Sequence, residues 1–428
     1  MSKPKIVFSS YQLFIIAILA ILQFTVVLDF MVLSPMSDTL IKELKISSQQ
    51  FSLVASSYAF SAGISGLLAA GFADKFDRKK LLLFFYTGFI IGTLFCGIAP
   101  NYQYLLAARI FTGVFGGVMS SISYAIITDL FVMEVRGRVM GFVQMAFAAS
   151  QVVGIPVGLV LANKFGWHSP FIMIVVLSLF IIAIITLKLK PVNEHLKLKS
   201  DKNAFNHLIK TISTINYLKA FMATTLLATG GFMLNQFGGA FSINNLKLTQ
   251  EELPILFGIT GIFSIISGPI IGRISDKVGK YKVFFIGSIL SMIMVAIYTN
   301  LGATPLWLLL LVNIFLFISV SSRMISSSAL MSGVPEPKDR GAFMGINSSV
   351  QYLAGGISAY AAGLIVYQDK TGVFHNYEKL GYVVVASMVI CVIMMYLIHK
   401  IIIDKLKIKN QEADITIKPK KESAALIP

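Results

Sequence analysis

Apolar residues run along this chain in stretches of roughly 20 or more, separated by short polar segments. That length matches a helix crossing the ~30 Å hydrocarbon core of a bilayer. The pattern predicts twelve membrane-spanning helices, at 12–36, 49–72, 81–99, 102–129, 139–163, 169–188, 217–242, 253–273, 282–301, 304–332, 341–367 and 380–403. They divide into residues 12–188 and 217–403, flanked by an N-terminal segment (1–11), a linker (189–216) and a charged tail (404–428) expected to be mobile. The first run exceeds the ~7–15-residue apolar region of a signal peptide and lacks a clear cleavage site, so a retained helix is expected.

The polar breaks repeat. Gly71-Phe72-Ala73-Asp74-Lys75-Phe76-Asp77-Arg78-Lys79-Lys80 has a second copy in Gly272-Arg273-Ile274-Ser275-Asp276-Lys277-Val278-Gly279-Lys280. Arg136-Gly137-x-x-Met140-Gly141 returns as Arg340-Gly341-x-x-Met344-Gly345. Leu44 to Gln50 matches Leu246 to Glu252, and both segments carry a capping box, Ser47 with Gln50 and Thr249 with Glu252. Three matched features at offsets of 202–204 residues imply two homologous halves in one orientation, related by an axis along the membrane normal. The fold class is an all-α membrane protein, twelve transmembrane helices in two pseudo-symmetric six-helix bundles.

Composition excludes a soluble domain. The 428 residues are 56% hydrophobic and 13% charged, with a mean hydropathy of +0.79; soluble proteins carry about 25% charged residues. A net charge of +16 raises nucleic acid as a partner, but its distribution argues against that. Of the 36 Lys and Arg residues, six fall in the loops after odd-numbered spans and two inside spans, leaving 28 on the side of the chain ends. Such a bias places both termini in the cytoplasm. Cys96 and Cys391 both lie in apolar runs and read as packing residues, without disulfide or zinc spacing. In the linker, Phe205, Leu208, Ile209 and Ile212 stand at helical spacing, which fits either a helix on the lipid surface or a partly disordered tether.

With these features assembled, the chain resembles the major facilitator superfamily over essentially its whole length. The segment at 70–80 is similar to that family's loop 2–3 motif, with Ala70 and Asp77 standing where the motif has Gly; the copy at 272–280 matches better. Leu105-x-x-x-Arg109-x-x-x-Gly113 resembles the helix 4 motif, and Gly154-Ile155-Pro156-Val157-Gly158 the helix 5 motif associated with antiporters. Phe165 to Phe171 looks like the family's loop 5–6. The set leans toward the twelve-helix drug:proton antiporter branch. The resemblance implies a conformational latch, in which Asp74 faces the start of helix 11 near Gly341 with Arg136 or Arg138 as partner. Lys75, Arg78 and Asp276 belong to the same charged hinges. Solvated charges that fix topology are the alternative, favoured for Lys79 and Lys80. Pro156 and its flanking glycines are expected to kink helix 5 or limit leakage.

Ionisable residues inside a span are costly and point to function. Asp29, between Val26-Val27-Leu28 and Phe30, is the carboxylate placed clearly within the hydrocarbon; Arg109 lies about two turns into span 4 and Arg323 further along span 10. Counted from the outer ends of their spans, Asp29 and Arg109 share a depth of roughly 10 Å at ~1.5 Å per residue. An Asp balanced between desolvation and a nearby guanidinium can load and release a proton. The pair is therefore the candidate for proton coupling, with a static ion pair as the alternative. Candidate substrate contacts are Gln23, Gln144, Gln151, Asn235, Gln236, Asn313, Asn347 and Gln351, some of which are expected only to bridge helices. Gly154 with Gly158 and Gly268 with Gly272 read as close helix packing, as does the Ser326-Ser327-Ser328 run.

No Gly-x-x-x-x-Gly-Lys-Ser/Thr phosphate loop and no hydrolase motif is present. The expectation is a proton-driven exporter, not an enzyme, without cofactor or metal, in a bacterial inner membrane. It would act as a monomer among membrane lipids on small amphipathic compounds or drugs. A sugar or metabolite transporter of the same superfamily and a lipid flippase are the alternatives within transport. Outside it stand a membrane enzyme or a non-transporting sensor.

Overall fold

A computed structural model describes residues 8–72, 75–197, 204–336 and 339–422. The first half comprises α1 (Ser10–Met31), α2 (Ser37–Leu44), α3 (Ser48–Phe72), α4 (Arg78–Gly97), α5 (Tyr102–Leu130), α6 (Met133–Ala149), a π-helical turn (Ser150–Gly154), α7 (Ile155–Phe165) and α8 (Ser169–Lys188). After the linker helix α9 (Ala204–Ser213) come α10 (Ile215–Asn235), α11 (Gly238–Asn244), α12 (Glu252–Val278), α13 (Lys280–Thr299), α14 (Leu306–Met331) and α15 (Arg340–Ile365). A two-stranded hairpin, β1 (Tyr367–Gln368) and β2 (Phe374–His375), precedes α16 (Tyr377–Glu422). Among the described residues ten helices are long and apolar enough to span a bilayer by themselves; α6–α7 and α15 complete the twelve. Alternating helix directions put both chain ends on one face, called here the terminal face, opposite a far face.

Local chemistry sets the helix starts. Ser47 and Gln50 exchange side chain–backbone hydrogen bonds before α3, and Thr249 and Glu252 do the same before α12. Asp77, which replaces a motif glycine, is the N-cap of α4 and accepts from the backbone N–H groups of Lys79 and Lys80. In the hairpin, Asp369 accepts from Thr371, Val373 and His375. The Thr371 hydroxyl and the His375 ring together hold its carboxyl well below the usual carboxylate range.

Several boundaries depart from the hydropathy reading. The first and seventh spans are each broken rather than continuous: α1 stops at Met31 before Pro35, and α10 stops at Asn235 before Gly238-Gly239. Pro lacks the N–H that a helix interior needs, and paired glycines weaken one. The eighth span runs on through the second charged copy to Val278, so that hinge shrinks to Gly279 at φ 108°. The tail expected to be mobile is helical to Glu422, with Lys its commonest residue. The linker does form a helix, but α9 packs on α3, α10 and α15, with Thr211 buried and Ile212 against a cluster that includes Phe221 and Leu67. Ile209 on the same helix stays exposed.

The halves meet along two seams. One joins α3 to α15 from the Ser48 hydroxyl and the Val366 carbonyl (3.3 Å), past Gly363 beside Ser52 and Gly63 beside Leu353, to Gly66 beside Ser349. Small residues let the backbones approach closely here, as they do throughout membrane helix packing. The other joins α7 and the π turn to α12, at Val152 with Gly261 and Asn163 with the Gln250 carbonyl (2.8 Å).

The far face is closed by a polar lock. Ser34 donates to the carbonyl of Asn235, and the Ala240 N–H donates to Ser37 (3.0 Å). Asp38, buried, accepts from Lys42 (2.8 Å), Asn244 (2.5 Å) and Gln250 (3.0 Å). A Cβ on Gly239 would lie 2.2 Å from the Pro35 carbonyl oxygen of the other half. Gly239→Ala is therefore expected to disfavour closure by about 1–3 kcal/mol, a shift of roughly 5- to 150-fold. Spin labels at positions 43 and 247, both exposed, should report a longer distance population; an unchanged distribution would refute this.

Candidate functional site

The pair at Asp29 and Arg109 is built by close helix approach. Gly113, Gly116 and Gly117 form one face of α5, where an added Cβ would lie 2.5 Å from the Tyr58 carbonyl, 2.5 Å from the Tyr58 hydroxyl and 2.2 Å from the Ala62 carbonyl. That face draws α3 onto α5 and lays the Tyr58 ring under the Arg109 guanidinium, 4.5 Å from its centroid. Gly154 against Leu28 and Gly158 against Val32 seat α7 on the end of α1. The π turn before Pro156 widens the helix where Ser150 donates to the Phe24 carbonyl (3.0 Å).

Arg109 Nη1 donates to Asp29 Oδ2 at 2.7 Å and to the Asp29 carbonyl at 3.3 Å, while Thr93 donates to Oδ1 at 3.2 Å. Both charged side chains are 0% exposed. Arg109 Nε and Nη2 and the Tyr58 hydroxyl have no hydrogen-bond partner among the described residues. The guanidinium thus retains donor capacity beyond Asp29. Depth counting brought the two residues to one level, but the reason differs from the one assumed. Asp29 lies two residues before the break of α1, and the remaining depth is crossed by the turn and α2.

Beside the pair, partly exposed aromatic side chains meet across the two halves. Phe30 packs on Tyr58 (5.3 Å), on Phe232 (5.5 Å) and edge-on to Tyr352 (6.1 Å). A groove of about 490 Å³ lies at the far-face edge, between residues 46–49 and 363–369. The aromatic cluster, Thr93 and Asp38 were not legible as site residues. Aromatics are too frequent in this chain to stand out, with 33 Phe and 15 Tyr. A charge just past a span, such as Asp38, reads as a solvated loop residue.

The polar candidates scatter. Gln23 bonds Ser120 across α1 and α5 (3.1 Å), and Asn347 accepts from Thr224 across α15 and α10 (2.6 Å). Both act as bridges. Asn313 is buried and donates to the Leu309 carbonyl of its own helix. Asn235 contributes its backbone carbonyl to the far-face lock. Gln236 is buried with Nε2 unpartnered among the described residues, and Gln151 and Gln351 are half-buried. The side chain of Gln144 lies outside the described residues. Of the glycine pairs, Gly154 and Gly158 pack closely, whereas a Cβ on Gly272 would meet open space.

Asp74 lies outside the described residues, as do the side chains around Arg340 and Gly341 in the first turn of α15. Arg78 ion-pairs with Asp129 (3.0 Å), joining α4 to the end of α5. Arg136 donates to the Phe131 (2.8 Å) and Thr128 (2.5 Å) carbonyls, capping α5. Lys75, Arg138 and Asp276 are exposed.

The chain matches the model of the Major Facilitator Superfamily over residues 19–359 and 220–415. It is 26% identical over 351 residues to the uncharacterized MFS-type transporter YceJ of Bacillus subtilis, covering 81% of this chain and 87% of that one. Multidrug resistance protein 2 of the same organism is 21% identical over 361 residues, covering 83% and 88%. Among solved structures, a partially occluded inward-open conformation of the xylose transporter XylE from E. coli superposes with a TM-score of 0.70. The alignment has 14% identity and covers 91% of this chain and 98% of that one.

Proposed function

The chain belongs to the major facilitator superfamily of membrane transporters, and from that premise we propose that it is a proton-coupled exporter of small amphipathic organic compounds. The observation that carries this reading is the fully buried Asp29–Arg109 pair, a charged couple in the membrane interior. In the proposed cycle Asp29 takes a proton from outside, which weakens its hold on Arg109 and releases substrate. Loss of the proton to the cytoplasm restores the ion pair and permits rebinding. Arg109 remains cationic throughout, so the charge of the pair alternates between zero and one. The lock at the far face, with the termini in the cytoplasm, makes this state the one closed to the outside.

An amphipathic cargo is supported by the aromatic cluster of Phe30, Tyr58, Phe232 and Tyr352 over the pair. Gln23, Asn313 and Asn347 are occupied by protein partners, which leaves fewer amides for the hydroxyls of a sugar. The full-length relative named for multidrug resistance agrees with export. Everted vesicles holding a respiration-driven pH gradient test the proposal. Ethidium and similar lipophilic dyes, added singly, should partly dissipate the gradient in vesicles containing the protein and not in vesicles lacking it. Uptake that proceeds equally in fully uncoupled vesicles would overturn proton coupling.

A further inference from the structure

Arg323 presents a second charge in the membrane interior. It lies on α14 eight residues before Met331, about 12 Å from the terminal-face end of the helix at ~1.5 Å per residue. The residue is 3% exposed. Its guanidinium sits 5.9 Å from the centre of the Phe284 ring on α13 and beside Cys391 on α16. The thiol supplies no formal countercharge, and no ion pair to Arg323 occurs among the described residues.

The surroundings are small and polar. Gly287 of α13 comes so close to α14 that a Cβ there would lie 2.8 Å from Ser322 Cβ. Ser326 faces Ser275 of α12 at 3.4 Å, Ser322 and Ser327 are buried on the same helix, and Ser288 is buried next to Gly287 on α13. Nε and Nη2 of Arg323 have no hydrogen-bond partner among the described residues. Those two N–H groups form the parallel edge of a guanidinium that binds carboxylates bidentately. An arginine cannot shed its proton to escape burial, and an uncompensated buried charge is strongly destabilising. At Arg109 the same edge is also unpartnered, but there Asp29 neutralises the charge.

We propose that Arg323 is a carboxylate-binding site in the second half, its Nε–H and Nη2–H gripping the two oxygens of a small organic anion. The carboxylate belongs either to a resident anion or to the transported compound; the second case rests on the transport reading above. Binding is tested on the purified full chain in detergent, by titrating sodium acetate against sodium chloride at constant ionic strength and following thermal unfolding. Acetate should raise the unfolding temperature saturably and more than chloride does. Arg323→Lys keeps the charge without the paired edge and should weaken acetate roughly tenfold or more, the loss of one charge-assisted hydrogen bond. Arg323→Gln should abolish the response, and Arg109→Met should leave it intact, separating this site from the coupling pair. Equal responses to acetate in wild type and Arg323→Lys, or a response to chloride as large as that to acetate, would overturn the proposal. Counterflow of radiolabelled succinate in proteoliposomes then identifies the source: exchange that depends on Arg323 marks cargo, and binding without exchange marks a resident anion.

Discussion

In proteoliposomes with an imposed pH gradient, Asp29→Asn is expected to reduce substrate accumulation from about tenfold per pH unit to none. One pH unit is about 1.4 kcal/mol, and that energy supports a tenfold concentration ratio when one proton moves per substrate. Asn cannot take up and release the proton, so the gradient loses its grip on the cycle. The variant keeps an amide oxygen for Arg109, and the Asp29 backbone carbonyl at 3.3 Å and the Tyr58 ring are unchanged. Gradient-independent counterflow should therefore persist. Undiminished accumulation by this variant would remove Asp29 from the coupling role.

The second large effect concerns stability. Removing one partner of a buried ion pair costs about 3–5 kcal/mol, because the survivor is left charged in an apolar site. The two survivors are not equivalent. In Arg109→Met, Asp29 can escape by taking a proton and keeping its contact with Thr93. In Asp29→Asn, the guanidinium has no such route. Asp29→Asn is therefore expected to be the less stable single variant. Asp29→Asn/Arg109→Met should recover most of the loss, since it leaves neither charge buried without its partner. Thermal unfolding of the four proteins in one detergent measures the coupling directly. Additive losses would mean that the pair contributes no mutual stabilisation. The double variant would also provide a folded transporter without the proton-carrying acid.

The spans were legible because a bilayer demands long apolar runs, and few other constraints act on a lipid-facing helix. For the same reason hydropathy could not show where α1 and α10 stop: Val32, Leu33, Met36 and Phe237 continue the apolar run across both breaks. Asp29 and Arg109 stood out because charges inside such runs are rare and their depth can be counted. What each polar group touches is a tertiary property. Asn313 and Asn347 look alike in sequence, yet one bonds within its own helix and the other across to α10. Arg323 was visible as a charge, but its lack of a carboxylate emerges only when α12, α13 and α16 are assembled around α14.

The two seams between the halves also have a mechanical consequence. The α3–α15 seam spans Ser48 to Gly66, about 27 Å at ~1.5 Å per residue, whereas the close α7–α12 approaches lie toward the far face. In the proposed cycle the long seam is the spine of a book, and separation at the terminal face grows with distance from it. The mouth of the resulting wedge lies between α6 and α12. Ile262, Ile266, Ile270 and Ile274 are exposed along α12 on the approach to that face. Such a doorway is oily at its jamb, so an amphipathic molecule dissolved in the inner leaflet could slip in sideways without first crossing into water.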